Sequence, residues 1–213
     1  MSARQIVIVA NGGANSASLQ VALERLQAAS AVSADAVEIR AASHVILPGV
    51  GAAADAMARL RQNRLDTLIP ALRQPVLGIC LGMQLMFESS EEGDAQCLRI
   101  IPGRAARFTP HAARPVPHMG WNTLDIRRPC PLLAGIGNGA YAYFVHSYAV
   151  HLSDATTAST DYGAPFSACV QWRNFYGAQF HPERSAAVGA RLLPRSARGG
   201  LAHRRNCATA RRR

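Results

Sequence analysis

A cysteine flanked by glycines is the first residue of this chain that is suited to chemistry. Cys80 lies in the sequence Gly78-Ile79-Cys80-Leu81-Gly82, directly after an apolar run. A strand that ends in this pattern and turns sharply into a helix is a nucleophile elbow, whose tight turn requires small residues two positions on either side of the nucleophile. The elbow exposes the thiol beside main-chain N–H groups, which favour a thiolate. A free cysteine after an apolar strand is often only a core residue, but the two glycines favour a nucleophile.

A base and a carboxylate follow about one hundred residues later, in Phe180-His181-Pro182-Glu183. His181 can take a proton from the thiol and give it to a departing amine, which is general acid–base catalysis. Glu183 points to the same side of an extended segment and can hold the imidazole in one tautomer. Cys80, His181 and Glu183 together predict acyl chemistry through a thioester. His146, the nearest rival base, lies in a strand-like run and is expected to be structural or part of the pocket wall.

A second glycine-rich segment is expected to help stabilise an oxyanion. Pro48-Gly49-Val50-Gly51 follows a strand-like run that precedes the elbow, and its glycines allow a peptide to turn its N–H toward the intermediate. Most such segments are plain turns; the position of this one, after a strand and ahead of the elbow, favours the role, and the resemblance described below adds to it. We therefore predict that Leu81, at the start of the elbow helix, and Gly49, Val50 and Gly51 supply the donors.

The composition predicts a water-soluble protein with one folded domain. The chain has 213 residues, of which 49% are hydrophobic, and this length accommodates a sheet covered on both faces. Residues 194–213 contain seven arginines and no acidic residue, so the net charge of +10 leaves only +3 for residues 1–193. A nucleic-acid-binding domain would distribute its basic residues over a folded face, often with aromatic residues between them. We expect residues 1–193 to form the domain and residues 194–213 to be a disordered tail, with no nucleic acid as partner.

Neither a membrane segment nor a disulfide framework is predicted. No apolar run approaches the roughly 18 residues that cross a bilayer, and the N-terminal residues lead directly into a strand-like run without a signal peptide. The five cysteines are scattered and include no C-x-x-C pair, which is typical of reduced thiols in a cytoplasmic protein. No metal or cofactor is predicted.

The order of the predicted elements favours an α/β fold. Up to residue 88, short β-branched runs alternate with helical segments, which is typical of a mostly parallel, doubly wound sheet. Residues 37–40 and 44–47 are interpreted as strands, and residues 81–88 as the elbow helix. From residue 100 onward, strand-like runs joined by Pro, Gly and Asn predict antiparallel strands added to the parallel core. A last helix is predicted over residues 185–193, where Pro194 should end it.

These motifs and their order resemble the class I glutamine amidotransferases, whose glutaminase site consists of Cys, His and Glu. Within that class, the chain is similar to the glutaminase subunits of imidazole glycerol phosphate synthase, an enzyme of histidine biosynthesis. The resemblance covers about residues 5–193 and rests on the elbow, continued by Met83-Gln84, and on five further segments: Gly12-Gly13-Ala14-Asn15, Pro48-Gly49-Val50-Gly51, Pro117-His118-Met119-Gly120-Trp121-Asn122, Tyr143-Phe144-Val145-His146-Ser147-Tyr148 and Gly177-Ala178-Gln179-Phe180-His181-Pro182-Glu183-Arg184-Ser185. The elbow and the His-x-Glu pair identify the class, whereas the Met-Gly-Trp-Asn and Phe-Val-His-Ser-Tyr segments point to these glutaminases.

The resemblance implies a substrate and the residues that bind it. The substrate is glutamine, which the enzyme hydrolyses to glutamate and ammonia. Gln84 and the main chain of His146, Ser147 and Tyr148 are implied as its binding pocket. From the sequence alone, Gln84 would instead be assigned to an exposed helix face.

The resemblance also implies a protein partner. The ammonia passes to a cyclase subunit with a (β/α)₈-barrel fold, and the heterodimer makes imidazole glycerol phosphate and aminoimidazole carboxamide ribonucleotide. Pro117, Met119 and Trp121 are implied at the interface with that subunit.

The chain departs from this family at two places. Family members often have an acidic residue at the end of the first strand, where this chain has Ala10, so no role is carried over to that position. An arginine-rich sequence replaces the apolar end of the last helix, and a GC-rich gene read out of frame would produce such a composition. Three alternatives stay open: the glutaminase of another synthase, such as anthranilate or para-aminobenzoate synthase, a subunit impaired by its altered C-terminus, and nucleic-acid binding through the tail.

Overall fold

An eight-stranded mixed sheet is the centre of the part of the chain that the computed structural model describes, residues 5–12, 15–49 and 51–197. These residues contain fourteen strands: β1 Ile6–Val9, β2 Ser30–Ser33, β3 His44–Leu47, β4 Val76–Ile79, β5 Ser89–Ser90, β6 Ala95–Gln96, β7 Arg104–Arg107, β8 His118–Thr123, β9 Asp125–Ile126, β10 Tyr141–His146, β11 Tyr148–Val150, β12 Thr156–Asp161, β13 Pro165–Trp172 and β14 Phe175–Ala178. They also contain six α-helices: α1 Asn15–Arg25, α2 Ala36–Ala41, α3 Ala53–Gln62, α4 Leu65–Ala71, α5 Leu81–Gln84 and α6 Ala186–Ala197. None of these helices is long and apolar enough to cross a membrane.

The strand order of the large sheet is β2-β1-β3-β4-β14-β13-β12-β9. Strands β2, β1, β3, β4 and β14 are parallel to one another, and β13, β12 and β9 extend the sheet with antiparallel pairs. This arrangement confirms the predicted α/β fold with a mostly parallel sheet and added antiparallel strands. Two smaller sheets are also present, one of order β11-β7-β5-β6 and one formed by β8 and β10.

Apolar side chains cover both faces of the large sheet, as a doubly wound arrangement requires. On one face, Val7 and Val9 belong to a buried cluster that includes residues of α2, α3 and α4. On the other face, Ile6 and Ile8 pack in a second cluster with residues of α1 and α6. Because β1 is buried on both sides, all four of its residues are apolar.

The interpretation of residues 37–40 as a strand is wrong, because they lie in helix α2. The Asp35 carboxylate caps this helix, accepting hydrogen bonds from the N–H of Val37 at 2.6 Å and of Glu38 at 3.1 Å. Val37 is 73% exposed, so its apolar side chain does not mark a buried strand. A local cap therefore outweighs the β propensity of Val and Ile here.

Two predicted helix ends are also wrong. Helix α5 covers only Leu81–Gln84, not residues 81–88. Helix α6 continues through Ala197 and so passes the expected stop at Pro194. Proline removes one main-chain hydrogen bond, and the burial of Val188, Leu192 and Leu193 on this helix outweighs that loss. Residues 198–213, the greater part of the expected tail, lie outside the described residues.

Candidate active site

Cys80 lies at the carboxyl end of β4, in the turn that leads into α5. Its backbone has φ 53° and ψ −115°, a conformation that residues with a side chain rarely adopt. A Cβ atom on Gly78 would lie 2.7 Å from the Gly82 carbonyl oxygen, and one on Gly82 would collide with the Leu47 carbonyl oxygen. The two glycines thus meet the steric requirement of a nucleophile elbow.

His181 and Glu183 follow β14, which is the parallel neighbour of β4. Because the carboxyl ends of parallel strands meet at one edge of the sheet, the two residues come close to Cys80 despite their distance along the chain. The Nδ1 of His181 lies 2.9 Å from a Glu183 carboxylate oxygen, and Cys80 is near enough to the imidazole to raise its pKa. These are the three residues expected from the sequence to act together.

The ionisation of His181 follows from these neighbours. Burial lowers the pKa of His181, but its hydrogen bonds with Cys80 and Glu183, and the negative charges of these groups, outweigh burial and raise the pKa to about 10. At neutral pH the imidazole is therefore protonated. The arrangement places a positively charged ring beside Cys80 and the Glu183 carboxylate, and a neighbouring imidazolium is the environment that activates a cysteine nucleophile.

A cavity of about 370 Å³ opens at Cys80 and His181. It is lined by Gly49, Gly51, Cys80, Leu81, Gln84, Glu92, Pro117, Val145, His146, Ser147, Tyr148 and His181. The structure thus brings together most of the residues that the sequence assigned to the nucleophile, the oxyanion donors and the substrate pocket. Val50 lies outside the described residues, and Met119 and Trp121 are not part of this lining.

The two candidate oxyanion-binding segments lie side by side. A Cβ atom on Gly49 would be 2.5 Å from the Cβ of Leu81 and would also collide with the N of Gly82, so only glycine permits this approach. Gly51 has φ +88°, which also favours glycine. The N–H of Leu81 belongs to the first turn of α5, where N–H groups have no acceptor within the helix.

Gln84 is buried, in contrast to the exposed position that its place on a helix suggested. Its Nε2 donates to the Tyr148 carbonyl oxygen at 2.8 Å and to Gln179 Oε1 at 2.9 Å. Since these oxygens only accept, the two bonds fix the orientation of the amide and use both of its hydrogens. The Oε1 atom is then the group that Gln84 can offer to the cavity.

The main chain at Tyr148 presents a donor on the cavity side. The N–H of Phe108 donates to the Ser147 carbonyl oxygen at 3.0 Å, and the next residue, Tyr148, lies opposite Arg107 of β7. Bonded and non-bonded pairs alternate in an antiparallel ladder, so the N–H and C=O of Tyr148 both point away from β7. The carbonyl meets Gln84 there, and the N–H faces the same side, where the cavity lies.

Glu92 is a cavity residue that the sequence did not reveal. Its carboxylate accepts a hydrogen bond from the N–H of Ala53 at 2.9 Å and so caps α3. Burial raises the pKa of the Glu92 carboxyl, the hydrogen bond from Ala53 lowers it, and the charge of Asp55 raises it further. Glu92 and Ala53 are too far apart in sequence to form a local capping motif, so no pattern could have indicated this carboxylate.

Met119 and Trp121 form an exposed apolar surface on β8. They are 62% and 51% exposed, and the Trp121 ring meets the Tyr143 ring edge-on with centroids 5.8 Å apart. The guanidinium of Arg184, next to Glu183, lies 4.9 Å from the centre of the Tyr143 ring. Exposed neighbouring aromatic and thioether side chains are typical of a protein-binding surface.

Comparison with known proteins is consistent with this site. The profile of the family described as "Glutamine amidotransferase class-I" matches residues 7–196. The chain is 52% identical over 189 residues to "Imidazole glycerol phosphate synthase subunit HisH" of Xylella fastidiosa (strain 9a5c), covering 89% of this chain and 94% of that protein. It is 51% identical over 188 residues to the protein of the same name from Xanthomonas euvesicatoria pv. vesicatoria (strain 85-10), covering 88% and 94%.

Solved structures share the fold at low sequence identity. A putative GMP synthase subunit from Thermoplasma acidophilum superposes with a TM-score of 0.73 at 19% identity, covering 95% of this chain and 96% of that chain. A structure described as a glutamine amidotransferase gives a TM-score of 0.70 at 16% identity, covering 92% and 97%.

The fold, the elbow and the family profile define the class of this protein: the chain belongs to the class I glutamine amidotransferases. Identity of about one half over most of its length places it, within that class, in the family of the HisH subunits of imidazole glycerol phosphate synthase. The resemblance inferred from the sequence motifs is thereby confirmed.

Proposed function

We propose that this chain hydrolyses glutamine to glutamate and ammonia through a thioester on Cys80. The observation that carries the proposal is that Cys80 and His181 meet at the edge of one cavity, with Glu183 hydrogen-bonded to the imidazole. The strained elbow exposes the Cys80 sulfur to the cavity, and the protonated His181 imidazole can donate a proton to the leaving group.

The first half-reaction forms the thioester. The Cys80 thiolate attacks the side-chain amide carbon of glutamine, and the carbonyl oxygen becomes an oxyanion beside the N–H of Leu81 and the segment of Gly49 and Gly51. His181 then donates its proton to the amide nitrogen, the C–N bond breaks, and ammonia leaves. The acyl group stays on sulfur.

The second half-reaction releases glutamate. Water attacks the thioester carbon while His181, now neutral, takes a proton from the water. The C–S bond breaks, the thiolate leaves, and the imidazolium is restored. Glu183 accepts from Nδ1 throughout, which fixes the ring and stabilises its positive charge.

The remaining cavity groups match the α-amino and α-carboxylate groups of glutamine. The N–H of Tyr148 is the donor for the carboxylate. The Oε1 of Gln84 and the carboxylate of Glu92 are the acceptors for the ammonium group. His146 and Ser147 complete the wall with their main chain.

The ammonia passes to a separate polypeptide of the synthase. The relatives' name, subunit HisH of imidazole glycerol phosphate synthase, supports a cyclase as the partner. We propose a heterodimer with a (β/α)₈-barrel cyclase that makes imidazole glycerol phosphate and aminoimidazole carboxamide ribonucleotide in the cytoplasm. The exposed surface of Met119 and Trp121, with Pro117 nearby, is the docking surface that we assign to it.

Glutamate formation, measured with and without the candidate cyclase and its nucleotide substrate, tests the function. We expect turnover with the partner present and inhibition by alkylation of Cys80 with iodoacetamide. Burial raises the pKa of the Cys97 thiol to about 11 despite the charge of Arg61, so this cysteine should resist the reagent. The variant Cys97→Ala is the matched control and should remain active and sensitive to the reagent. Absence of glutamate formation under all these conditions would refute the proposal.

A further inference from the structure

Two buried histidines, His118 on β8 and His146 at the end of β10, have no part in the reaction steps above. They are 3% and 6% exposed, and Nδ1 of His118 lies 3.1 Å from Nε2 of His146. The His118 ring stacks on Tyr162 and Phe144, with ring centroids 4.1 and 5.0 Å away. Such packing holds the His118 imidazole in one orientation.

The partner of His146 determines where its proton lies. Its Nδ1 is 2.8 Å from the Tyr148 carbonyl oxygen, which can only accept, so Nδ1 carries a hydrogen. Burial lowers the pKa of His146 to about 3, despite that hydrogen bond, and the nearby His118 and His181 lower it further. The ring is therefore neutral at pH 7, and its Nε2 is an acceptor. The bond between the two rings then requires His118 Nδ1 to be the donor.

The same reasoning extends to Asn122. Burial lowers the pKa of His118 to about 4, so this ring is also neutral, and its Nε2 accepts from Asn122 Nδ2 at 3.4 Å. The Asn122 amide is fixed independently, because its Nδ2 donates to the Asp161 carbonyl oxygen at 2.9 Å and its Oδ1 accepts from the Thr123 N–H. The donors run in one direction, from Asn122 through His118 and His146 to Tyr148.

We propose that His118 is a positioning residue for the substrate: it fixes the tautomer of His146, and His146 holds the Tyr148 peptide at the cavity. Two side chains, His146 and Gln84, donate to the Tyr148 carbonyl oxygen, each at 2.8 Å, and so restrain the strand that presents the Tyr148 N–H. This role rests on the proposed glutaminase function, in which that N–H binds the α-carboxylate of glutamine. The chain of donors starts on β8, the strand that also exposes Met119 and Trp121.

Nitrogen NMR of the full chain with ¹⁵N-labelled histidine tests the tautomers directly. We expect His118 and His146 to be neutral at pH 7, each protonated at Nδ1 and not at Nε2. A positive charge or an Nε2 proton on either ring would overturn the proposal. This readout needs no substrate, so it decides the series of hydrogen bonds even if the protein hydrolyses no glutamine.

Glutamine kinetics with the synthase partner test the positioning role. His118→Phe keeps an aromatic ring and removes the donor, and it should raise KM for glutamine about tenfold, the effect of one lost hydrogen bond, with kcat little changed. His118→Asn places an amide donor near the position of Nδ1 and should restore most of the KM. An unchanged KM in His118→Phe, or an equally raised KM in both variants, would contradict the role.

Asn122→Asp is a second test of the proposed series of hydrogen bonds. Asn122 is partly exposed and lies outside the aromatic cluster, so this substitution leaves the packing of the cluster unchanged. A carboxylate cannot donate to His118 Nε2 but accepts from it. We expect the NMR signals of His118 to change to a ring protonated at Nε2, and KM for glutamine to rise. Unchanged His118 signals in this variant would show that Asn122 does not direct the ring, and the proposed series of donors would be wrong.

Discussion

His181 and Glu183 have unequal tasks, although they form one hydrogen-bonded pair. In the proposed mechanism, the imidazole takes part in both proton transfers, whereas the carboxylate acts only through the ring that it orients. The large rise of the His181 pKa, to about 10, comes from both neighbours, Cys80 and Glu183. Removing Glu183 alone therefore leaves one of the two stabilising partners in place.

His181→Ala should lower kcat/KM for glutamine by at least the roughly 10²–10⁴ typical of general acid–base catalysis. Glu183→Gln should lower it less, because the imidazole remains and only its orientation and charge balance change. Steady-state glutamate formation by both variants, with thermal melts to confirm folding, provides the comparison. A folded Glu183→Gln protein that is less active than His181→Ala would reverse the roles assigned here.

Local sequence patterns could predict some site residues and not others. Cys80 lies in a Gly-x-Cys-x-Gly motif, whose glycine spacing indicates a tight turn. His181 lies two residues before Glu183, and this spacing places both side chains on the same side of an extended segment. Glu92 and His118 carry no such signal, because their partners, Ala53 and His146, lie far away in sequence. Only the folded chain brings each of these groups to its partner.

At the level of elements, strand β8 has two different sides. His118 points into the aromatic cluster, whereas Met119 and Trp121 lie on the protein surface. We therefore propose that the strand binds the partner on its outside and supports the substrate wall on its inside.

Trp121→Ala should weaken binding of the cyclase by roughly 2 kcal/mol or more, the cost expected for truncating an aromatic hot spot. Isothermal titration with the purified cyclase measures the affinity, and alkylation of Cys80 in the isolated variant checks that the elbow is intact. Tyr141→Ala, at another exposed aromatic residue on the paired strand β10, is a matched control. Full affinity in Trp121→Ala would exclude this residue from the interface.

The two buried histidines, His118 and His146, should make the free energy of unfolding depend on pH. In the unfolded chain they titrate near pH 6.5, whereas burial lowers their folded pKa values to about 4 and about 3. As pH falls below 6.5, the unfolded state takes up protons that the folded state does not, so the free energy of unfolding decreases. The raised pKa of His181 acts in a separate window, since its contribution is complete below pH 6.5 and is lost as pH rises toward 10.

Urea unfolding of the wild type and His118→Asn at pH 7.5 and pH 5 isolates this effect, because the other ionisable groups are common to both proteins. The wild type should lose more stability between the two pH values than the variant does. Equal losses would show that His118 is not neutral in the folded state at pH 5.

The element boundaries show where sequence patterns succeed and fail. Strands β1 and β3 follow from apolar β-branched runs, which burial on both faces requires, whereas β2 reads Ser-Ala-Val-Ser and carries no such signal. Strand β12 is buried, yet its sequence Thr-Thr-Ala-Ser-Thr-Asp is not an apolar run. Its burial is possible because hydroxyl groups form hydrogen bonds inside the sheet, such as the one between Thr156 Oγ1 and Ser167 Oγ, 2.8 Å apart. In α2 and α6, a cap and tertiary packing decide the structure against local propensity.

For the whole molecule, we expect the arginine-rich C-terminus to be separable from the site. The family profile ends at residue 196 and helix α6 at Ala197, so both include the buried Leu192 and Leu193. We therefore propose that the domain needs no residue beyond Ala197. A shifted reading frame remains our explanation for the composition that follows, and resequencing the 3′ end of the gene tests it.

A chain that ends at Ala197 should keep the glutamine turnover and melting temperature of the full chain. Binding to a mixed DNA fragment across a salt series is the companion measurement, since binding through the tail would weaken steeply with salt and vanish after the truncation. Loss of turnover in the truncated chain would show that residues 198–213 belong to the functional unit.

The central claim is that Cys80 forms the acyl intermediate and that the acceptor chemistry lies on another polypeptide. The most direct measurement compares product formation by the assembled synthase containing Cys80→Ala, with glutamine or with ammonium salt as the nitrogen source. We expect no product from glutamine and normal product from ammonia, because only the thioester step is removed. Product formed from glutamine by this variant, in a preparation free of other glutaminases, would contradict the account.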